Sequence, residues 1–184
     1  MAIHNRIATS DCRSTPFLRR CGAIRILFRQ SAIPGSHWSW WKKTSLYANS
    51  IGAYFSLLAF QNVKLEKSLF VSPILDMGKL IRDMMGWAGV TQEQLKEAGE
   101  IPTAFGETLS WTYLTYATEN RITKWDSSTA ILYARQDHLT ARQTIDNFAQ
   151  RFGCMVTVME NGEHWFRTEE QLAVLDAWLN VETE

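Results

Sequence analysis

The sequence predicts an α/β fold in which helices cover both faces of a parallel sheet. Short segments rich in β-forming apolar residues alternate with longer apolar or amphipathic segments over residues 43–180, an alternation typical of parallel strands joined by helices. Thr91, Thr140 and Thr168 are each followed three residues later by a glutamine, a pattern that caps helices. The last predicted helix has an apolar side formed by Leu172, Leu175, Trp178 and Leu179. Polar loops follow the strand-like segments. The predicted order is strand, helix, strand, several helices, strand, helix, strand, helix.

A serine lies where the first strand-like segment passes into a helix. Residues 43–47 predict a strand, and the apolar residues 51–60 predict a buried helix. Small residues on both sides of Ser50 allow a sharp turn, and a serine held on such a turn is typical of a catalytic nucleophile. The amide of Ile51 would then face a developing oxyanion at the positive end of the helix. The alternative role for Ser50 is that of an ordinary helix N-cap.

A serine nucleophile needs a base, and the base needs an orienting carboxylate. Residues 129–133 predict a buried strand, and Asp137 lies in the polar loop that separates this strand from a helix over residues 141–152. Residues 155–159 predict the next strand, and His164 lies in the loop after it. Both loops follow strands of a parallel sheet, so we expect Asp137 and His164 at the same sheet edge as the serine.

Other residues of the same types leave alternatives open. Asp76, which follows the strand-like segment 67–71, is the second candidate for the acid, and Asp137 could instead be a solvated loop carboxylate. Three further histidines compete with the candidate base. They are His4, His37 and His138.

Three segments, in this chain order, resemble the catalytic motifs of the α/β-hydrolases, a superfamily of serine hydrolases that includes esterases and lipases. The first is the segment 47–53, in which Ala48 stands where the usual Gly-x-Ser-x-Gly pattern has its first glycine. The second is the strand-then-acid segment 133–137, and the third is the histidine loop 162–166. The resemblance extends from about residue 41 to residue 180 and matches the C-terminal half of the family's fold.

This resemblance implies an α/β-hydrolase fold and hydrolysis of carboxylic esters, or of amides or thioesters, through an acyl-enzyme. It implies that Ser50 attacks the substrate, His164 acts as general base and acid, and Asp137 orients the imidazole. The amide of Ile51 is one oxyanion donor. No cofactor and no metal are expected, and the expected partner is a small-molecule ester or acyl substrate.

Residues 75–126 carry helical patterns in place of the next strand. A capping box at Thr91 begins one helix, and residues 110–118 predict another. In the resembled family an insertion at this point forms a lid over the substrate pocket. The candidate pocket residues, which could equally be core residues, are Met84, Met85, Trp87, Phe105, Trp111 and Tyr113.

The first forty residues differ from the rest in charge. They contain six arginines and one acid, Asp11, and residues 1–43 carry a formal charge of +7 against −7 for the remainder. This segment could be an organelle-targeting peptide, a basic arm for nucleic acid or anionic membrane, or an atypical start that replaces the usual first half of the fold. We favour the third interpretation, because only residues 23–28 predict a strand before the nucleophile strand. No nucleic acid is expected as a partner.

The expected domains are therefore a basic segment over residues 1–40 and an α/β-hydrolase domain over residues 41–184 that lacks the first strands. An incomplete parallel sheet would expose an apolar edge, which favours self-association. It would also lack the loop that supplies the second oxyanion donor. The competing functional classes are a non-catalytic hydrolase fragment or pseudoenzyme and, less favoured, a basic-arm binding module.

The remaining composition is that of a globular chain. The 184 residues, of which 46% are hydrophobic, are enough for one domain with a core, and no apolar run is long enough to span a membrane. Cys12, Cys21 and Cys154 form an odd set without metal-ligand spacing, which favours a reducing, cytoplasmic setting without a disulfide framework.

Overall fold

The computed structural model describes residues 7–8, 24–29 and 43–183. Six of its strands, numbered in chain order, form one sheet: β1 Ile7–Ala8, β2 Ile24–Arg29, β3 Lys43–Asn49, β4 Lys67–Val71, β7 Thr129–Ala134 and β8 Met155–Met159. Their order across the sheet is β1-β2-β3-β4-β7-β8. Four of the strands predicted from the sequence, β3, β4, β7 and β8, are thus neighbours, and each pairs in parallel with the next.

The flank of the sheet before β3 is antiparallel. The strand expected over residues 23–28 is present as β2, but it runs antiparallel to β3, with Ile24 opposite Ala48 and Arg29 opposite Lys43. Consecutive strands can pair in this way without a helical crossover. The sheet is therefore mixed: parallel from β3 to β8, as predicted, and antiparallel beyond it.

Helices cover both faces of the parallel part, as predicted. They are α1 Ile51–Phe60, α5 Arg142–Phe152 and α6 Glu169–Thr183. Successive residues of a strand point to opposite faces, so Phe70 belongs to the core cluster that contains residues of α1 and α5, whereas Leu69 and Val71 belong to a second cluster with Trp178 of α6. The site described below lies at the edge where β3, β4, β7 and β8 end.

The chain between β4 and β7 forms a separate group of elements in the region predicted as the lid. They are α2 Met77–Ala88, α3 Gln92–Ala98, the hairpin strands β5 Glu100–Pro102 and β6 Thr108–Ser110, and α4 Trp111–Glu119. The capping box at the start of α3 is confirmed, because the Thr91 side chain accepts from the Gln94 amide and the Gln94 side chain from the Thr91 amide. Ser110 caps α4.

Two details of the helix predictions are wrong. The side chain of Thr140 does not cap α5; its hydroxyl donates instead to the carbonyl of Pro73 at 3.1 Å, and Ala141 takes the N-cap position without a side-chain hydrogen bond. Leu172, expected on the packed side of α6, is 46% exposed. Gln171 is buried instead, because its side-chain amide donates to the carbonyl of Asn161.

Candidate active site

Ser50 occupies a strained turn between β3 and α1. Its φ of 50° and ψ of −129° lie in a region that residues with a Cβ rarely adopt. The turn is held by hydrogen bonds of the Ser50 backbone: its amide donates to the carbonyl of Val71 at 3.0 Å, and its carbonyl accepts from the amides of Ala53 and Ile74. The sharp strand-to-helix turn predicted from the small flanking residues is therefore present.

Ser50, His164 and Asp137 form a continuous hydrogen-bonded chain. The Oγ atom of Ser50 lies 2.7 Å from Nε2 of His164, and Nδ1 of His164 lies 2.8 Å from Oδ2 of Asp137. Because an ionised carboxylate only accepts hydrogen bonds, Nδ1 of a neutral imidazole carries the proton and Nε2 is left to accept from the serine hydroxyl. The side chains of His164 and Asp137 are fully buried, which keeps water from competing for these bonds.

The loop that carries Asp137 is rigidly held. Oδ1 of Asp137 accepts from the amides of Leu139 at 2.8 Å and Thr140 at 3.1 Å, so that both carboxylate oxygens are bonded. The hydroxyl of Tyr133 donates to the carbonyl of Thr140 at 3.0 Å, and burial raises the pKa of this phenol, which keeps it protonated as a donor. These contacts position the carboxylate for the imidazole.

The histidine loop is bonded directly to the acid loop. The amide of Gln136 donates to the carbonyl of Gly162 at 2.9 Å, and the Gly162 amide donates to the carbonyl of Met159 at 3.1 Å. The ring of Trp165 contacts the His164 ring edge-to-face, with 4.7 Å between centroids. Gly162 and Trp165 both belong to the predicted histidine loop segment, but neither carries an individual sequence signal for these contacts.

Replacing Gly162 with alanine is expected to destabilise the fold by about 1 to 3 kcal/mol, because overpacking a filled site carries that cost. A Cβ at this position would lie 3.0 Å from Cγ and Sδ of Met159 and 3.1 Å from Cβ of Ala134. Gly86→Ala is the matched control. Nothing lies within 4 Å of the Cβ that alanine would add at this position, and alanine within helix α2 is favoured over glycine by about 0.5 to 1 kcal/mol. Urea unfolding measures the free energy of unfolding of both variants. Equal changes in the two would contradict the packing argument.

The alternative site residues have other positions. The carboxylate of Asp76 caps α2 by accepting from the Lys79 amide at 2.8 Å. His138 lines the cavity described below, but it is His164 that bonds to Ser50. His4 and His37 lie outside the described residues.

An apolar cavity of about 370 Å³ opens beside Ser50, between the sheet edge and the elements inserted after β4. Four of the candidate pocket residues, Met84, Trp87, Phe105 and Tyr113, line it. Trp111 does not line it: this residue begins α4, and Tyr113 lies about 200° further around the helix. Trp111 packs against the core and has the ammonium of Lys96 above its ring. Met85 is buried in the core.

The amide of Ile51 lies at the start of α1. The first amides of a helix have no acceptor within the helix, and the partial positive charge of this helix end favours an anion. Ile51 also lines the cavity beside Ser50. The role of this amide as an oxyanion donor stays a prediction.

The described residues contain no group of three or more His, Cys, Asp or Glu side chains placed to hold a metal ion. Within the same part of the chain, no helix combines the length and apolar character needed to cross a membrane. Cys154 is a free thiol, and burial raises its pKa to about 11. Cys12 and Cys21 lie outside the described residues.

The solved structures that this chain resembles include several proteins of the α/β-hydrolase class. Est1E from Butyrivibrio proteoclasticus is 16% identical with a TM-score of 0.56, and the match covers 74% of this chain and 60% of Est1E. Alpha/beta hydrolase domain-containing protein 10 from mouse is 14% identical with a TM-score of 0.60, at the same coverages of 74% and 60%. A candidate hydrolase from Agrobacterium vitis S4 is 13% identical with a TM-score of 0.64, and the match covers all of both chains.

The chain therefore has the α/β-hydrolase fold. It spans about 60% of the length of Est1E and of the mouse protein. No protein-family model and no curated protein sequence matches it.

Proposed function

We propose that this chain is a serine hydrolase that cleaves carboxylic esters through an acyl-enzyme. The observation that carries the proposal is the hydrogen-bonded chain from Ser50 through His164 to Asp137, which opens on an apolar cavity at the carboxyl edge of the sheet. Nucleophile, base and orienting carboxylate are the three parts that acyl transfer by a serine requires.

In the acylation step, Oγ of Ser50 forms a bond to the carbonyl carbon of the ester while its proton passes to Nε2 of His164. The carbonyl oxygen becomes an oxyanion, to which the amide of Ile51 donates a hydrogen bond at the positive end of α1. The tetrahedral intermediate then expels the alcohol, which takes the proton from His164. Asp137 stabilises the imidazolium that exists between these two transfers.

In the deacylation step, water replaces the alcohol. His164 takes a proton from the water, whose oxygen attacks the acyl carbon, and then returns the proton to Oγ of Ser50 as the carboxylic acid leaves. No cofactor takes part in this sequence. Amides and thioesters are alternative substrates of the same chemistry.

One of the similar structures, Est1E, has been solved with ferulic acid bound. This supports derivatives of carboxylic acids as substrates of the present chain. The apolar lining of the cavity beside Ser50 favours acyl or alcohol groups with an apolar body.

Steady-state hydrolysis of p-nitrophenyl acetate, butyrate and octanoate, with matched thioester and anilide substrates, tests this proposal. We expect saturable turnover of the esters above the buffer rate, and slower turnover of the anilide because its leaving group is poorer. Circular dichroism and a cooperative unfolding transition establish that the sample is folded. Folded protein without turnover of any ester would contradict the proposal and favour the non-catalytic alternative.

A further inference from the structure

The cavity beside Ser50 has an unbalanced charge. Glu107 is the one carboxylate among the described residues that line it, and no described lysine or arginine lines it. The rest of the lining is mostly aliphatic and aromatic, with a few neutral polar groups and the imidazole of His138. A carboxylate in such surroundings is stabilised when a ligand supplies a positive charge or a strong donor.

The hairpin directs Glu107 toward the cavity. Glu107 immediately precedes β6, two residues before Leu109, and in an extended segment residues two apart point to the same side. Both residues line the cavity, and Leu109 is buried in the core at 2% exposure. The Glu107 backbone is held by Thr103, whose amide and hydroxyl donate to the Glu107 carbonyl at 2.8 and 2.7 Å. No ion pair within the described part of the chain neutralises the Glu107 carboxylate.

Two aromatic rings that line the same cavity as Glu107 are about half exposed. Trp87 is 52% exposed and Phe105 is 45% exposed, although both are large and apolar. Their centroids lie 6.2 Å apart with the planes at 76°, and both rings line the same cavity as Glu107. The negative face of an aromatic ring attracts a cation, so the rings and the carboxylate favour the same kind of ligand.

We propose that this cavity binds a positively charged ammonium group of the ester substrate, and that Glu107 is a specificity-determining residue for that group. Trp87 and Phe105 supply apolar contact and cation–π attraction, while Glu107 supplies the opposite charge. An anionic group at the same place would be repelled by the carboxylate. The inference rests on the proposed ester hydrolase function, because it names the substrate class of that same site.

Two esters that differ only in this charge test the inference: butyrylcholine and 3,3-dimethylbutyl butyrate, in which a carbon replaces the quaternary nitrogen. Their kcat/KM values are compared at pH 8, where a free imidazole is mostly neutral, using the full chain. We expect wild type to prefer the cationic ester by about tenfold, a size in keeping with a carboxylate and an aromatic face acting together.

Glu107→Gln removes the charge with little change in shape and is expected to bring the preference close to one. Glu119→Gln is the matched control: Glu119 is an exposed carboxylate at the end of α4 and does not line the cavity, so the preference should persist. Trp87→Leu is expected to lower the preference by a smaller factor of about 2 to 5, through loss of the cation–π contact.

An equal or lower kcat/KM for the cationic ester in wild type would overturn the inference, and so would a preference that Glu107→Gln leaves unchanged. In either case, turnover of the neutral ester leaves the proposed hydrolase function intact. If folded protein hydrolyses neither ester and does not react with a fluorophosphonate, the proposed function itself fails.

Discussion

Replacing Ser50 with alanine is expected to lower kcat for ester hydrolysis by about 10⁴ to 10⁶, the range found when a serine hydrolase loses its nucleophile. Without Oγ no acyl-enzyme forms, and only binding and oxyanion stabilisation remain. The fold should survive, because the turn is held by backbone hydrogen bonds of Ser50 to Val71, Ala53 and Ile74. Initial rates with p-nitrophenyl butyrate measure the effect.

Ser56→Ala is the matched control for this substitution. Ser56 is another buried serine of the same region, in α1, and its hydroxyl has no hydrogen-bond partner among the described residues. Its removal should change kcat less than about twofold, because Ser56 does not line the cavity beside Ser50 and its hydroxyl bonds to none of the described groups. Ser50→Ala protein that retains more than a tenth of the wild-type kcat would show that another residue is the nucleophile.

Replacing Asp137 with asparagine is expected to lower kcat by about 10⁴, the effect seen when the orienting carboxylate of a triad becomes an amide. The amide can present N–H to His164 and so favours the tautomer in which Nε2 carries the proton. That tautomer cannot accept the proton of Ser50. The contacts of Oδ1 with the amides of Leu139 and Thr140 should keep the loop in place, so KM is expected to change little.

Asp76→Asn distinguishes Asp137 from the other candidate acid. Asparagine caps helices about as well as aspartate, so α2 should keep its start, and kcat should stay within about threefold of wild type if Asp76 only caps the helix. A large loss in Asp76→Asn with activity retained in Asp137→Asn would reverse the assignment of the acid. Parallel unfolding curves separate loss of activity from loss of structure.

The residues placed together at the candidate site could be predicted because each follows a strand of one parallel sheet. The strands before Ser50, Asp137 and His164 all end at the same sheet edge. Chain order and strand pattern were therefore sufficient to predict that the three side chains lie close together. The sharp turn at Ser50 could also be predicted, because small neighbours are what such a turn requires.

Details that depend on tertiary contacts could not be predicted in the same way. Thr140 has the sequence of a helix cap, but the carbonyl of Pro73 lies within reach and takes its hydroxyl. Trp111 and Tyr113 look equivalent in an aromatic segment, and only the start of α4 at Trp111 decides which of them faces the cavity. The antiparallel pairing of β2 with β3 likewise could not be predicted. The local sequence of a strand does not specify which neighbour it pairs with or in which direction.

The placement of Glu107 could not be predicted for a related reason. In the sequence it is one charged residue in a polar turn, where a solvated carboxylate is the usual case. Only the folded hairpin brings Glu107 into the lining of the cavity that contains Ser50, together with Trp87 and Phe105. Glu107 precedes the buried Leu109 by two residues, a spacing that would place both side chains on one side of an extended segment. A pattern of two residues is too short to interpret without the partner strand.

Covalent labelling shows whether Ser50 is an activated nucleophile. Full-length protein is treated with a fluorophosphonate at neutral pH, and the adduct is located by peptide mass spectrometry. We expect one phosphonate per chain, located on Ser50, with labelling abolished in Ser50→Ala and strongly slowed in His164→Ala. Folded protein that stays unlabelled, or an adduct on any residue other than Ser50, would contradict this expectation.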